Sequence, residues 1–227
     1  MDIKIPYTPR RHQAFLHKEI SKHRWSVLVC HRRFGKTVCM INHLIRSALL
    51  SKQKNPRYAY ISPTFKQSKS IAWDYMKQFT AKIPYTKFNE TELRVDLPNG
   101  ARITLLGSEN SDGLRGIYLD GCVIDEYANV HSKLFPEIIR PALSDRKGYC
   151  VFIGTPQGMN NNFYELYQHA QGAEDWFNYK AKASETEIVD PEELVKAKEV
   201  MGEKKYLQEF ECDWIANIEG SIYNKAD

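Results

Sequence analysis

The sequence lacks several features that would assign it to a class at once. It has five cysteines but no CxxC pair, and three of them, Cys30, Cys122 and Cys150, lie in apolar runs. We therefore interpret them as small core residues in a reducing compartment. The odd cysteine count and the absence of a charged-then-apolar leader argue against secretion. Because no stretch approaches the ~18 apolar residues of a membrane span, we expect a cytoplasmic protein outside any membrane.

Charge and size are not extreme either. Thirty-two Lys and Arg residues against 28 Asp and Glu give a net charge of +4. This charge is compatible with phosphate binding but does not by itself indicate a nucleic-acid partner. The 227 residues, 42% of them hydrophobic, suffice for one substantial core with a small appendage. Internal repeats and low-complexity tracts are absent.

What the sequence does contain is an alternation of short apolar runs with amphipathic segments. The runs are Trp25–Cys30, Arg57–Ser62, Gly121–Asp125 and 149–153. This alternation predicts an α/β protein with a mainly parallel sheet flanked by helices. Between the second and third runs, apolar and polar residues alternate on both sides of Asn99-Gly100, which predicts a small antiparallel β-hairpin insertion.

The C-terminal part is predicted to be helical. Asp190-Pro191, followed by two glutamates, supplies an N-cap, a proline at the first helical position and acids in the first turn. Gly202 interrupts the pattern. The aromatic residues that then recur at every fourth position are Tyr206, Phe210 and Trp214. We expect a helical subdomain packed beside the sheet.

The segment CHRRFGKT, residues 30–37, ends like a phosphate-binding loop, although Cys30 stands where the usual first glycine would be. A triphosphate needs inward-pointing amides, a mobile cation and a hydroxyl for magnesium. Gly35, Lys36 and Thr37 would supply these in order. The alternative is a coincidental GKT in a surface turn, but here an apolar run precedes the motif and a helical pattern follows it.

A second predicted strand supplies the carboxylates that a hydrolysing phosphate loop requires. In GCVIDEYA, residues 121–128, Asp125 is placed to hold magnesium through water and Glu126 to polarise the attacking water. The alternative is that the acids cap a following helix. A third run ends in Thr155, whose hydroxyl would sense the γ-phosphate or the attacking water, although a Thr-Pro strand end also serves turns.

Three arginines are candidates for stabilising the charge of a phosphoryl transition state. Arg32 and Arg33 lie inside the phosphate loop, and Arg33 is also counted among the nucleotide-binding candidates. Arg115 lies between Gly113 and Gly116, which suits a mobile finger reaching a neighbouring subunit. The alternative for each arginine is a pairing with a surface acid.

Four segments stand in a recognisable order along the chain. They are TPRRHQ (8–13), CHRRFGKT (30–37), LRGIYLDGCVIDEYA (114–128) and IGTPQG (153–158). Together they resemble the ATPase domain of the large terminase subunit of tailed bacteriophages, the motor that pumps DNA into empty capsids. Two further segments resemble that family, so the likeness spans nearly the whole chain. These are YISPTFKQSK (60–69) and FECDWIANIEGSIY (210–223).

The resemblance implies a P-loop NTPase of the additional-strand, catalytic-glutamate (ASCE) type. In that fold the Thr155 strand would lie between the phosphate-loop strand and the Asp125 strand. Terminase loops resemble this one in tolerating a non-glycine first position and in carrying arginine before the Gly-Lys-Thr. The resemblance implies that Lys36 and Thr37 bind phosphates and Mg²⁺, that Asp125 completes the metal site, and that Glu126 activates water.

Further residue roles follow from the same resemblance. Gln13, with neighbours such as Tyr7 and Arg10, would recognise adenine. Thr155 would couple hydrolysis to movement, and Arg115 would act on the nucleotide of the next subunit.

The resemblance also implies cofactors, partners and a domain division. ATP and Mg²⁺ are the expected cofactors. The expected partners are double-stranded DNA, the portal protein, the small terminase subunit and further copies in a homo-oligomeric ring, expected to be a pentamer, in the host cytoplasm. We divide the chain into an ATPase core (1–185), a lid subdomain (186–216) and a linker (217–227) toward a ribonuclease-H-like nuclease domain that full-length relatives carry. We expect no DNA cleavage from this chain.

Two basic clusters are candidates for contacts with DNA phosphates, with solvated helix faces as the alternative. The first basic cluster is Lys66, Lys69, Lys77, Lys82 and Lys87, and the second is Arg140, Arg146 and Lys147. Two other functions stay open. One is a superfamily-2-like helicase or translocase fragment, which would need a second RecA-like domain. The other is a nucleotide-dependent capsid-docking module without turnover.

Overall fold

The computed structural model describes residues 4–109 and 114–215, so the predicted linker and Gly113 lie outside the described residues. The described strands are β1 (Trp25–Cys30), β2 (Arg57–Ser62), β3 (Lys87–Asn89), β4 (Arg94–Asp96), β5 (Arg102–Gly107), β6 (Gly121–Asp125), β7 (Tyr149–Gly154) and β8 (Trp176–Ala181). The α-helices are α1 (Arg11–Ile20), α2 (Lys36–Leu50), α3 (Phe65–Gln67), α4 (Trp73–Thr80), α5 (Arg140–Ala142), α6 (Asn162–Gln171), α7 (Ala183–Thr186), α8 (Pro191–Met201) and α9 (Glu203–Phe210). Among these residues, no helix combines the length and the hydropathy needed to cross a bilayer.

The described strands form one sheet in the order β3-β4-β5-β2-β6-β7-β1-β8. The six strands from β5 to β8 in this order pair in parallel, while β3 and β4 run antiparallel at one edge. The strand β7 lies between β1 and β6, as the family resemblance implied. The carboxyl ends of these three strands therefore meet at one edge of the sheet, where parallel α/β proteins bind ligands.

The sheet has a hydrophobic layer on each face because successive residues of a strand point to opposite sides. In β1, Leu28 and Cys30 pack with α1, α2 and α4, whereas Val27 and Val29 pack with α6 and the segments around it. Both sets are fully buried. The continuous apolar runs read from the sequence are thus central strands covered on both faces.

The predicted hairpin is confirmed, and its second strand is also a member of the main sheet. The Leu97 N–H donates to the Ala101 carbonyl at 2.8 Å, and Gly100 takes the turn with a φ of 82°. The strand β5 pairs antiparallel with β4 on one side and parallel with β2 on the other. The inserted strands therefore extend the sheet at its edge.

The predicted start of the C-terminal helices is confirmed. The Asp190 carboxylate accepts from the Glu192 N–H at 2.8 Å as the N-cap of α8. Gly202, with a φ of 78°, separates α8 from α9. The helix α9 ends at Phe210, so Trp214 lies beyond it and packs on the aromatic rings of α6.

Candidate nucleotide-binding and catalytic site

The phosphate loop joins the buried end of β1 to the first turn of α2. Cys30 is the last residue of β1 and is fully buried, so its side chain belongs to the core. Arg33 and Gly35 turn the loop with φ values of 70° and 89°. A Cβ at Gly35 would lie 2.9 Å from Gln13 Nε2, so this position needs glycine for close approach as well as for its backbone conformation. The turn leaves the first amides of α2 facing the loop.

Lys36 reaches from the loop to the end of β7. Its Nζ donates to the carbonyls of Cys30 and His31 and to the hydroxyl of Thr155, each at 3.3 Å. Thr155 follows β7 directly and is buried. The structure therefore brings together the predicted cation and the predicted sensor hydroxyl, which are far apart in the sequence.

Asp125 ends β6 and is held by two hydrogen bonds. The Tyr60 hydroxyl donates to Oδ2, and the Glu126 N–H donates to Oδ1 at 2.9 Å. Burial raises the pKa of Asp125, and the bond from Tyr60 and the charge of Lys36 oppose that rise. Lys36 is thus close enough to act on the carboxylate that the sequence assigned to the metal.

Glu126 follows at a bend in the backbone. Its φ of 48° is left-handed, a conformation that costs free energy for a residue with a side chain and that often occurs at functional sites. Burial raises the pKa of Glu126, and the neighbouring Asp125 charge raises it further, while Lys36 and Arg32 lower it. The loop and both acids therefore share one electrostatic environment.

Tyr60 is a member of this site that the sequence did not indicate. It lies in β2, is fully buried, and its hydroxyl adjoins both Asp125 and Thr37. Burial raises the pKa of Tyr60 well above its usual range. Its position depends on the pairing of β2 with β6, and no local pattern in the sequence marks it.

Gln13 and its predicted partners form a connected group at the start of α1. The buried Gln13 donates from Nε2 to the Gly35 carbonyl at 3.2 Å. Its Oε1 accepts from the Arg10 N–H at 3.0 Å and from the Tyr7 hydroxyl at 3.4 Å. The Tyr7 hydroxyl also lies 3.0 Å from His17 Nε2. The group therefore fixes the start of α1 against the phosphate loop.

A groove of about 710 Å³ opens beside Arg10. Its walls come from α1, from β8 and from the segment that starts with the end of α7, and they include Arg10, His12, Tyr179, Thr186 and Ile188. The strand β8, which the sequence analysis did not predict, thus helps to build this part of the site.

The three candidate arginines lie in different surroundings. The Arg32 N–H donates to the Glu209 carbonyl at 2.7 Å, and its side chain is exposed. Arg33 is exposed at the tip of the loop. Arg115 is exposed in the connection from β5 to β6, next to Gly116, whose φ is 82°.

The end of α9 packs on both the phosphate loop and the loop after β7. The buried Gln208 donates from Nε2 to the Pro156 carbonyl at 2.7 Å and to Gln157 Oε1 at 3.1 Å. The next residue, Glu209, accepts from the Arg32 N–H. One helix end therefore contacts both elements that surround Lys36, an arrangement that the sequence did not predict.

The donors present fit a nucleotide-bound magnesium ion. Within residues 4–109 and 114–215, no cluster of three or more His, Cys, Asp or Glu residues could hold a metal alone. Magnesium in phosphoryl-transfer sites keeps several waters and takes one or two protein oxygens plus phosphate oxygens. The Asp125 carboxylate and the Thr37 hydroxyl, both next to Tyr60, match that requirement.

The strand order and the loop define the class as a P-loop NTPase fold in which an additional strand, β7, separates the loop strand from the acid strand. The family described as "Terminase large subunit, T4likevirus-type, N-terminal" matches residues 30–227, and the chain belongs to that family.

Individual relatives agree with this assignment. The large terminase subunit of Thermus phage G20c is 26% identical over 182 residues, which are 72% of this chain and 36% of that protein. The large terminase ATPase domain of Thermus phage P74-26 matches with a TM-score of 0.78 at 20% identity, covering 93% of this chain and 96% of that one. The large terminase of another thermophilic bacteriophage, in complex with ADP, matches with a TM-score of 0.77 at 13% identity, covering 90% and 53%. The fold is thus that of large terminase ATPase domains, and the chain spans about a third of its curated relatives.

Proposed function

We propose that this chain is the ATP-hydrolysing motor domain of a viral large terminase, which powers translocation of double-stranded DNA into a procapsid. The observation that carries the proposal is the contact of Lys36 with Thr155, together with its action on Asp125 and Glu126 at the same edge of the sheet. The related terminase with bound ADP is also known in complex with ATP-gamma-S, which supports a nucleotide as the ligand here.

Each predicted site residue has a role in the proposed reaction. Lys36 and the first amides of α2 would hold the phosphates, and Glu126 would accept a proton from the attacking water. The raised pKa of Glu126 suits a base that works near neutral pH. Thr37 and Asp125 would hold Mg²⁺, which would neutralise charge on the phosphates. Thr155 would sense the γ-phosphate through its place beside Lys36.

The order of the strands supports a position for the base. The strand β8 flanks β1 on the side opposite to β7 and β6. A triphosphate with its γ end at the acids would therefore direct its base toward β8 and the start of α1. We assign the base to the groove beside Arg10. In this assignment, Gln13 sets the position of Arg10, and Tyr7 acts through Gln13.

We assign the lid to residues 186–216. The contacts of Gln208 with the loop after β7, and of Glu209 with Arg32, would pass a change at the γ-phosphate to α9. A lid that moves with the nucleotide state would convert hydrolysis into motion relative to the core.

The ring is the setting in which the arginines would act. Arg115 is exposed beside a left-handed glycine, which suits a finger that reaches the next subunit's nucleotide, while Arg32 and Arg33 would act within their own subunit. A pentameric ring on the portal, served by the small terminase subunit, is the assembly that we propose for the host cytoplasm.

The ring leads to a prediction for the isolated chain. We expect its Mg²⁺-dependent ATP turnover per subunit to rise steeply with protein concentration, because the finger comes from a neighbour. In Arg115→Ala this rise should disappear, whereas the exposed Arg140→Ala should retain it. The check is phosphate release measured across a range of protein concentrations. A wild-type rate per subunit that is independent of concentration would rule out a finger acting between subunits.

We propose the first basic cluster as the DNA face. Lys66, Lys69, Lys82 and Lys87 are exposed around α3 and α4, where they could meet phosphates of any sequence. In the second cluster, by contrast, Arg146 is held by the Lys54 carbonyl and by the Tyr118 ring at 4.6 Å.

A double substitution tests the DNA face. In Lys66→Ala/Lys69→Ala we expect weaker DNA binding and a log–log salt slope reduced by about two, since each phosphate contact contributes about one. Arg140→Ala/Lys147→Ala is the matched control, because both residues are exposed members of the second cluster. Fluorescence anisotropy with duplex DNA at several salt concentrations measures both quantities. If only the control pair lowers the slope, the second cluster is the DNA face.

A further inference from the structure

Tyr60 joins two side chains that come from different elements. Its hydroxyl donates to Asp125 Oδ2 at the end of β6, and it also forms a hydrogen bond with Thr37 in the first turn of α2. The residue is only 1% exposed, so all of its polar interactions are with protein groups at this site.

The direction of these hydrogen bonds follows from chemistry. An ionised carboxylate only accepts, so the proton of Tyr60 lies toward Asp125. The phenol oxygen is then left as an acceptor, and the proton of Thr37 lies toward Tyr60. The lone pairs of the Thr37 oxygen remain available for a cation as a result.

The carboxylate plane is fixed in the same way. Asp125 accepts at Oδ2 from Tyr60 and at Oδ1 from the Glu126 N–H at 2.9 Å. One bond at each oxygen sets the rotation of the group, and each oxygen retains a further lone pair. The pattern of donors around Asp125 and Thr37 thus prepares both of them as cation ligands.

We infer that Tyr60 is a positioning residue for the magnesium site: its hydroxyl orients the Thr37 hydroxyl and the Asp125 carboxylate toward one shared ion. This inference rests on the proposed function, because it assigns the ion to a nucleotide complex. Partners of metal ligands that act in this way typically alter metal affinity by about 10- to 100-fold when they are removed.

The test is Tyr60→Phe, with Tyr58→Phe as the matched control. Tyr58 lies two residues earlier in β2, is also buried, and donates to the Ser47 carbonyl at 3.2 Å, away from the acids. Binding of Mn²⁺ in the presence of ADP, followed by electron paramagnetic resonance, reports metal affinity without turnover. ADP binding in EDTA is measured on the same samples, and thermal melting verifies the fold.

We expect Tyr60→Phe to weaken Mn²⁺ binding about tenfold, with ADP affinity in EDTA unchanged and with Tyr58→Phe equal to wild type. Equal metal affinity in wild type and Tyr60→Phe, or an equal loss in both variants, would overturn the inference and leave the proposed function standing. A wild-type chain that binds neither ADP nor the metal would instead overturn the proposed function itself.

Discussion

In Glu126→Gln, ATP turnover is expected to fall by about 10²- to 10⁴-fold, the usual range for loss of a general base, while ATP binding stays close to wild type. The amide retains the size of the side chain but cannot take a proton from water. Nucleotide binding depends on Lys36 and the loop amides, which this change leaves in place. Phosphate release and equilibrium binding of a fluorescent ATP analogue measure the two effects separately.

Glu137→Gln serves as the control for this substitution. Glu137 is an exposed acid, 3.8 Å from Lys133, and lies outside the site. We also expect wild-type turnover to fall as the pH drops through the raised pKa of the Asp125 and Glu126 pair, because the base must be ionised to act. Turnover that survives in Glu126→Gln would show that this residue is not the base.

Lys36→Met should weaken ATP binding by about 10- to 100-fold, the loss expected when a hydrogen bond to a charged group is removed. Turnover should fall with it. Methionine fills a similar volume but cannot donate to phosphate oxygens or to Thr155. Removal of the lysine charge should also raise the pKa of Asp125 and Glu126 further, because that charge opposes their rise in the native protein. Titration calorimetry with ATP-gamma-S gives the binding constant.

Lys133→Met is the matched control, since it removes a lysine that is largely exposed and remote from the loop. Unchanged affinity in Lys36→Met would mean that nucleotide binds elsewhere. The candidate site would then lose the cation on which the proposed reaction depends.

The parts of the fold that could be predicted are those with a local signature. A continuous apolar run followed by Gly-Lys-Thr and a helical pattern defines β1, the loop and α2, because each of these signals acts within a few residues. The β-hairpin around Gly100 was predictable for the same reason. The strand β8 was missed, since its residues are half-buried at the edge of the sheet and show no clean alternation.

The parts of the site that could not be predicted depend on contacts between distant segments. Tyr60 meets Asp125 only because β2 pairs with β6. Gln208 reaches Pro156 only because the chain returns to the sheet after α8. Neither residue type carries a signal for these roles on its own. The acids and the lysine, by contrast, belong to motifs whose chemistry requires them at fixed positions.

The central position of β7 has a further consequence for how the site tolerates sequence change. This strand pairs in parallel register with β6 on one side and with β1 on the other, with Ile153 opposite Asp125. Backbone geometry therefore sets the spacing between Thr155 and the acids, and most neighbouring side chains can be exchanged without altering it. This accounts for how terminases that share only 13–20% of their residues with this chain preserve the same arrangement of the polypeptide.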